Sequence, residues 1–157
     1  MKKIIGLTAV VAAVIMMLSA CTPSGMPTSL VGVWKSESEH YVRKNGSYTD
    51  DTTTDTMYFE ITEDDYIIPG SAVSPYGIYG YPSAEYLKQY KESIDNAGIS
   101  KDDVCAKVIK ATCNELHIRP AGYKSDNETF VFGYELSGNT LTLKFGNGSY
   151  TQTYTKE

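Results

Sequence analysis

The sequence predicts a mostly β domain, with antiparallel strands in up-and-down order around one short helical insertion. Met57, Phe59 and Ile61 alternate with Tyr58, Glu60 and Thr62, the period-two pattern of a half-buried strand. The last thirty residues repeat that pattern three times, separated by the turn triplets Ser137-Gly138-Asn139 and Gly146-Asn147-Gly148. Between these regions, about forty residues replace alternation with Gly, Pro, Ser and Tyr and then with helical spacing. Strands joined by turns this short form a meander, which closes into a barrel or folds into a small sandwich. With 157 residues, 41% hydrophobic and 21% charged, the composition is that of one globular domain.

The chain opens with Lys2 and Lys3, then a run from Ile4 to Leu18 that is apolar apart from Gly6 and Thr8. As a helix its 15 residues reach roughly 22 Å, against about 30 Å of hydrocarbon core, so a secretion signal is expected rather than a stable span. Leu18-Ser19-Ala20-Cys21 resembles the lipobox of bacterial lipoproteins: a branched apolar residue, two small ones, then the cysteine whose thiol takes the lipid. The resemblance implies a signal peptide over residues 1–20, lipidation at Cys21 and a mature start there. Residues 21–29, small, polar or Pro/Gly, read as a tether, and residues 30–157 as the folded domain. Removal of Lys2 and Lys3 leaves 12 basic against 19 acidic residues, a formal charge of −7. That charge disfavours nucleic acid and electrostatic adhesion to anionic lipid. Membrane attachment then falls to acyl chains of the palmitate type, each buried CH₂ contributing about 0.8 kcal/mol.

Within the domain, Val33 to Arg43 reads as a long strand, turned by Asn45-Gly46 into the strand that carries Met57, Phe59 and Ile61. Glu63-Asp64-Asp65 turns the chain again into Tyr66-Ile67-Ile68, which Pro69-Gly70 ends. The insertion is expected over about 70–112. Ser71 to Tyr81 is a loop; Ser83 caps a helix with Tyr86, Leu87, Tyr90 and Ile94 on one face, and Gly98 ends it. Ser100-Lys101-Asp102-Asp103 resembles a capping box opening a second helix through Val104, Cys105, Val108 and Ile109, although Val104, Ala106 and Val108 also alternate as a strand. Leu116 and Ile118 mark the next strand. Phe130, Phe132, Tyr134 and Leu136, then Leu141, Leu143 and Phe145, then Tyr150, Gln152 and Tyr154 form the terminal meander.

Cys105 and Cys113 remain in what would be an oxidising compartment. Either they bridge, closing a short loop worth about 2.5 kcal/mol, or they stay as buried thiols. With His117 they lack a zinc-type spacing and a fourth ligand, so no metal is expected. His40 and His117 are the sole histidines, and no nucleophile-elbow, phosphate-loop or zinc-protease motif occurs. A non-enzymatic protein without a cofactor is expected.

Leu30-Val31-Gly32-Val33-Trp34 is similar to the Gly-x-Trp opening of lipocalins and of lipocalin-like bacterial lipoproteins, and the ending from Phe130 to Thr155 resembles the tail of these domains. The resemblance implies an eight-stranded lipocalin-like (calycin) barrel whose closed end is plugged by Trp34, with Gly32 letting the entering backbone pass beneath it. It departs from the family in the large insertion and in having no arginine near the C-terminus to stack on Trp34, a place open to Lys144 or Lys156. Tyrosine is the most unusual feature, 13 in all, with Tyr76, Tyr79, Tyr81, Tyr86 and Tyr90 crowded into the insertion as candidate ligand or partner contacts. The expected function is that of an anchored binding protein of the bacterial envelope, at the outer membrane or cell surface, holding a small apolar or amphipathic ligand in its barrel. The alternative is an interaction protein docking a protein or glycan through the tyrosine-rich insertion.

Overall fold

The computed structural model describes residues 26–157, without the side chains of residues 39–44 and 48. Cys21 and the expected signal segment, residues 1–20, lie outside the described residues. Among the described residues, ten strands and two α-helices follow in order: β1 (Gly32–Lys44), β2 (Ser47–Ile61), β3 (Tyr66–Ile68), β4 (Val73–Ser74), β5 (Gly77–Ile78), α1 (Ala84–Ala97), α2 (Lys101–Val104), β6 (Ala106–Ala111), β7 (Glu115–Arg119), β8 (Phe130–Ser137), β9 (Thr140–Phe145) and β10 (Tyr150–Lys156). Eight of these strands form a closed antiparallel barrel in the cyclic order β1-β2-β3-β6-β7-β8-β9-β10, consistent with a lipocalin-like architecture. Every wall strand pairs with its neighbour along the chain, once the β4–β5 hairpin and the helices are set aside. Closure comes from Trp34 opposite Lys156 and Lys35 opposite Thr155.

Local chemistry explains the turns. Asn45 and Gly46, at φ 51° and 86°, supply the two positive dihedrals that a tight hairpin between β1 and β2 needs. Alternation sends Phe59, Ile61, Leu116, Ile118, Phe132, Tyr134, Leu141, Leu143, Phe145 and Tyr154 into the barrel, where all are buried. Packing begins at Met26, which lies partly buried against this core.

A second, smaller core of Ile68, Leu87, Ile94 and Cys105 sits outside the wall, beneath α1. Ser83 caps that helix by accepting the Tyr86 N–H, and Gly98 ends it in the left-handed conformation. Lys91 fixes it to β2 through both oxygens of Glu60, at 2.6 and 2.7 Å. Of the expected apolar face, Leu87 and Ile94 are buried and Tyr90 packs beside them, whereas Tyr86 turns to solvent. Leu87, Tyr90 and Ile94 fall at i, i+3 and i+7, and Tyr86 lies off that stripe.

Two expectations are corrected. The second helix stops at Val104, Ser100 makes no side-chain cap, and residues 106–111 are a wall strand, so the insertion ends near residue 105 and not 112. The strand pattern prevails because the barrel needs a partner there: Val108 pairs with Ile118, and Ile67 with Ala106. Nor do Cys105 and Cys113 bridge. Cys105 is a free, buried thiol. They flank the extended β6, and eight residues at about 3.3 Å each separate them by roughly 26 Å, where a disulfide needs Cα atoms about 6 Å apart.

Candidate recognition surface at the barrel mouth

The base of the barrel is the end where β1 starts and β10 finishes. Trp34 is buried there, and its indole N–H donates to the Leu30 carbonyl at 2.8 Å. The cation near it is Lys156, whose Nζ lies 5.5 Å from the ring centroid and donates to the Ser29 carbonyl at 3.0 Å. The place left by the missing arginine is thus filled by Lys156 and not Lys144. Gly32 is required beside it, since its φ is +137° and a Cβ would sit 2.7 Å from Lys156 Cε.

Aromatic side chains continue up the axis. Tyr154 meets Phe59 edge to face with centroids 4.9 Å apart, and Phe132 meets Phe145 in the same way at 5.0 Å. The Tyr154 hydroxyl lies 2.5 Å from Gln152 Oε1 and 3.1 Å from the Ile78 carbonyl, and burial pushes its phenol well above the ordinary range. Gln152 Nε2 in turn donates to Ser36 Oγ at 3.3 Å, so a polar chain runs through the upper barrel.

Residues 69–81 lie across the mouth as a stopper. Ala72, Val73 and Ile78 face down and join the barrel core. At the far end of this segment Gly80 presses on β2: a Cβ there would be 1.9 Å from the Tyr58 carbonyl oxygen. Tyr58 and Tyr81 then exchange two backbone hydrogen bonds of 2.7 and 2.8 Å.

Above Lys35 and Thr155, β1 continues along β2 while β10 continues along β9, and the two strands part. The split forms a cleft of about 390 Å³ lined by Ser38, Met57, Tyr76, Tyr79, Phe145, Tyr150, Thr151 and Gln152. Tyr76 and Tyr79 come from the stopper and Tyr150 from the top of β10, with 72%, 47% and 64% of their surfaces exposed.

The five tyrosines singled out in the insertion therefore divide. Tyr76 and Tyr79 meet at the mouth. Tyr81 and Tyr90 pack at a tilt against each other, centroids 5.3 Å apart, in the small core under α1, and Tyr86 is exposed on that helix. Burial raises the phenol pKa of both Tyr81 and Tyr90. Cys105 lies in the same core, and burial pushes its thiol up to about 11. Tyr150, Phe145 and Met57 are additions to the expected set. The alternation Tyr150, Gln152, Tyr154 already placed the first of them on the inward face of β10, running out at the top. The side chain of His40 is not described, and His117 on β7 stands 3.7 Å from Glu115. Among the described residues, no group of three or more His, Cys, Asp or Glu side chains is arranged to hold a metal.

Compared with family models, curated proteins and solved structures, the chain matches none.

Proposed function

We propose that this chain is a lipid-anchored, non-enzymatic binding protein of the bacterial cell envelope, lipocalin-like in fold, which takes its ligand at the mouth of the barrel. The anchor rests on Leu18-Ser19-Ala20-Cys21 and the apolar run before it. The binding role rests on one observation: aromatic side chains occupy the axis and residues 69–81 cover its upper end, yet three tyrosine rings stay exposed around a single cleft. Exposed aromatic rings grouped on one surface mark a place where something else is to be covered. An amphipathic molecule suits it, with rings for its apolar face and Ser38, Thr151 and Gln152 for its polar edge.

Two measurements test this. Mass spectrometry of the mature N-terminus from expressing cells should find Cys21 carrying diacylglycerol, and Cys21→Ala should release the protein from the membrane fraction. A Cys21 joined to another cysteine instead of acylated would overturn the anchor. Native mass spectrometry of the protein extracted from the envelope should show a co-purifying small molecule that is lost when Tyr76 and Tyr150 are both replaced by Ala. Identical spectra for parent and double variant would remove the mouth as the binding surface.

A further inference from the structure

We propose that the free edge of β1, residues 38–44, is an interface between two copies of this chain, which add their β1 strands to each other antiparallel about a two-fold axis at Tyr41. This goes beyond the ligand reading of the mouth and uses none of its tyrosines.

The first argument is that the β1–β2 hairpin outruns the barrel. On one side β1 pairs with β10 as far as Lys35 opposite Thr155. On the other, β2 pairs with β3 at Glu60 and Ile61 and bridges Tyr81 at Tyr58. Past those points, among the described residues, the ladder joins the two strands to each other, from Ser36 opposite Met57 to Lys44 opposite Ser47. Asp50, Asp51, Thr52, Thr53, Thr54 and Asp55 are all exposed. Successive strand residues point to opposite faces, so exposure of consecutive residues means that the barrel covers neither face of this ribbon. A two-stranded ribbon is marginal in water by itself, and a third strand is the ordinary way to stabilise it.

The second argument selects the edge. The extra residues of the irregularity in this hairpin fall on β2, between Tyr48 and Thr52, while β1 runs on evenly from Tyr41 to Arg43. A bulge blunts an edge against further pairing. The charged residues of β2 from 47 to 57 are Asp50, Asp51 and Asp55, all acidic, so two copies meeting there would set like charges together. The β1 edge has neither protection. At its base the Val33 carbonyl accepts from the Glu157 N–H at 3.0 Å, away from β2. Alternation repeats that direction at every second residue, so the backbone N–H and C=O of Glu39, Tyr41 and Arg43 point away from β2 as well.

The third argument selects the partner. Within 38–44 acid precedes base, Glu39 first and then Arg43 and Lys44, so an antiparallel two-fold matches the strand with itself. With the axis at Tyr41, Glu39 of each copy stands opposite Arg43 of the other, Ser38 opposite Lys44, and His40 opposite Val42. Residues 39, 41 and 43 then face one another across the ladder, as their outward backbone groups require; an axis between two residues would not align them. An axis one residue nearer the base would carry the second strand down to Ser36, where Gln152 Nε2 of β10 already donates at 3.3 Å. The edge is about 23 Å long, small for an interface, so a weak dimer follows, with a Kd on the order of tens of micromolar. Because the strands run antiparallel, the two barrel bases lie at opposite ends of the pair, and copies anchored at Cys21 would meet from facing surfaces and not side by side.

Sedimentation velocity of the unacylated domain, residues 26–157, tests this, since that span holds every barrel strand. A monomer–dimer equilibrium is expected between about 1 and 500 µM. Glu39→Arg and Arg43→Glu should each weaken it at least about tenfold, because each sets like charges opposite one another on both sides of the axis. The double variant Glu39→Arg/Arg43→Glu should recover the parent affinity, and an equimolar mixture of the two single variants should form the mixed dimer. Amide exchange in the parent needs no variant: Glu39, Tyr41 and Arg43 should slow as the dimer forms, while residues 50–56 keep their rates. A parent that stays monomeric at about 500 µM overturns the proposal. So does a dimer indifferent to both charge reversals, one that the double variant fails to restore, or one whose formation slows exchange along 50–56 and not along 39–43. A dimer lost in Tyr150→Ala but kept in Glu39→Arg would place the contact at the mouth and overturn the β1 edge.

Discussion

At the base, Trp34 is wholly buried, its N–H bound to the Leu30 carbonyl and its face covered by Lys156. At the mouth, Tyr76 and Tyr150 keep 72% and 64% of their surfaces in water. Both ends use large aromatic side chains, but the Trp34 N–H and the Lys156 ammonium each find an internal acceptor, while the mouth turns its rings outward. The contrast separates aromatic residues that hold the barrel shut from those available to bind. Substitutions at the two ends should accordingly differ in kind: loss of stability below, loss of ligand above.

The largest effect is expected from Trp34→Ala. It deletes the biggest buried side chain, leaves a cavity among Leu30 and the base strands, and strips Lys156 of its ring. A loss of about 4 kcal/mol is expected, read from the denaturant midpoint. A loss below about 1 kcal/mol would mean that the base is not what holds the barrel together.

Gly80→Ala comes next and tests the join between stopper and wall. A methyl group at 1.9 Å from the Tyr58 carbonyl oxygen meets backbone, which cannot turn aside as a side chain can. The two Tyr58–Tyr81 hydrogen bonds must lengthen to admit it. About 2 kcal/mol should be lost, with amide exchange at Tyr58 and Tyr81 accelerating more than at Leu141 or Leu143. Uniform acceleration throughout would show that the stopper and barrel unfold as one unit.

The two ends also differ in how far the sequence disclosed them. The terminal meander was legible because its information is local: alternation sets the faces, and Ser137-Gly138-Asn139 and Gly146-Asn147-Gly148 set the reversals. The base was legible through Gly32 and Trp34 by resemblance, although the choice of Lys156 over Lys144 needed the β1–β10 register. Residues 104–109 were ambiguous because a short apolar run satisfies both periods, and only pairing with β3 and β7 decides between them. The cysteine pair misled for a related reason: nine residues make an easy loop in a flexible chain, but an extended strand holds its ends apart. The mouth was half visible. Tyr76 and Tyr79 stood out by composition and Tyr150 by alternation, whereas Met57 and Phe145 reach the same cleft only because barrel closure brings β2 and β9 around the split between β1 and β10.

Tyr154→Phe sharpens the boundary between the ends, since Tyr154 is buried like the base yet bonded to the stopper. The change keeps the ring against Phe59 and removes the hydroxyl that serves Ile78 and Gln152. About 1.5 kcal/mol should be lost, most of it from leaving the Ile78 carbonyl unpaired. Faster chymotrypsin cleavage after Tyr76 and Tyr79 should accompany it. If global stability falls but cleavage there keeps its rate, the hydroxyl supports the barrel and does not latch the stopper.

The smallest effect on stability is expected from Tyr76→Ala. The ring is exposed near the β4–β5 turn, and the hydrogen bonds there come from its backbone, the N–H donating to Ser74 Oγ and the carbonyl accepting from the Tyr79 hydroxyl. These survive truncation, so the melt should move by no more than about 0.5 kcal/mol in equivalent stability. The same substitution should cost ligand at the mouth, which makes it the mirror image of Trp34→Ala. A destabilisation of 2 kcal/mol or more would place the Tyr76 ring in the packing of the stopper, and the division between a closing end and a binding end would then fail at the residue that defines it best.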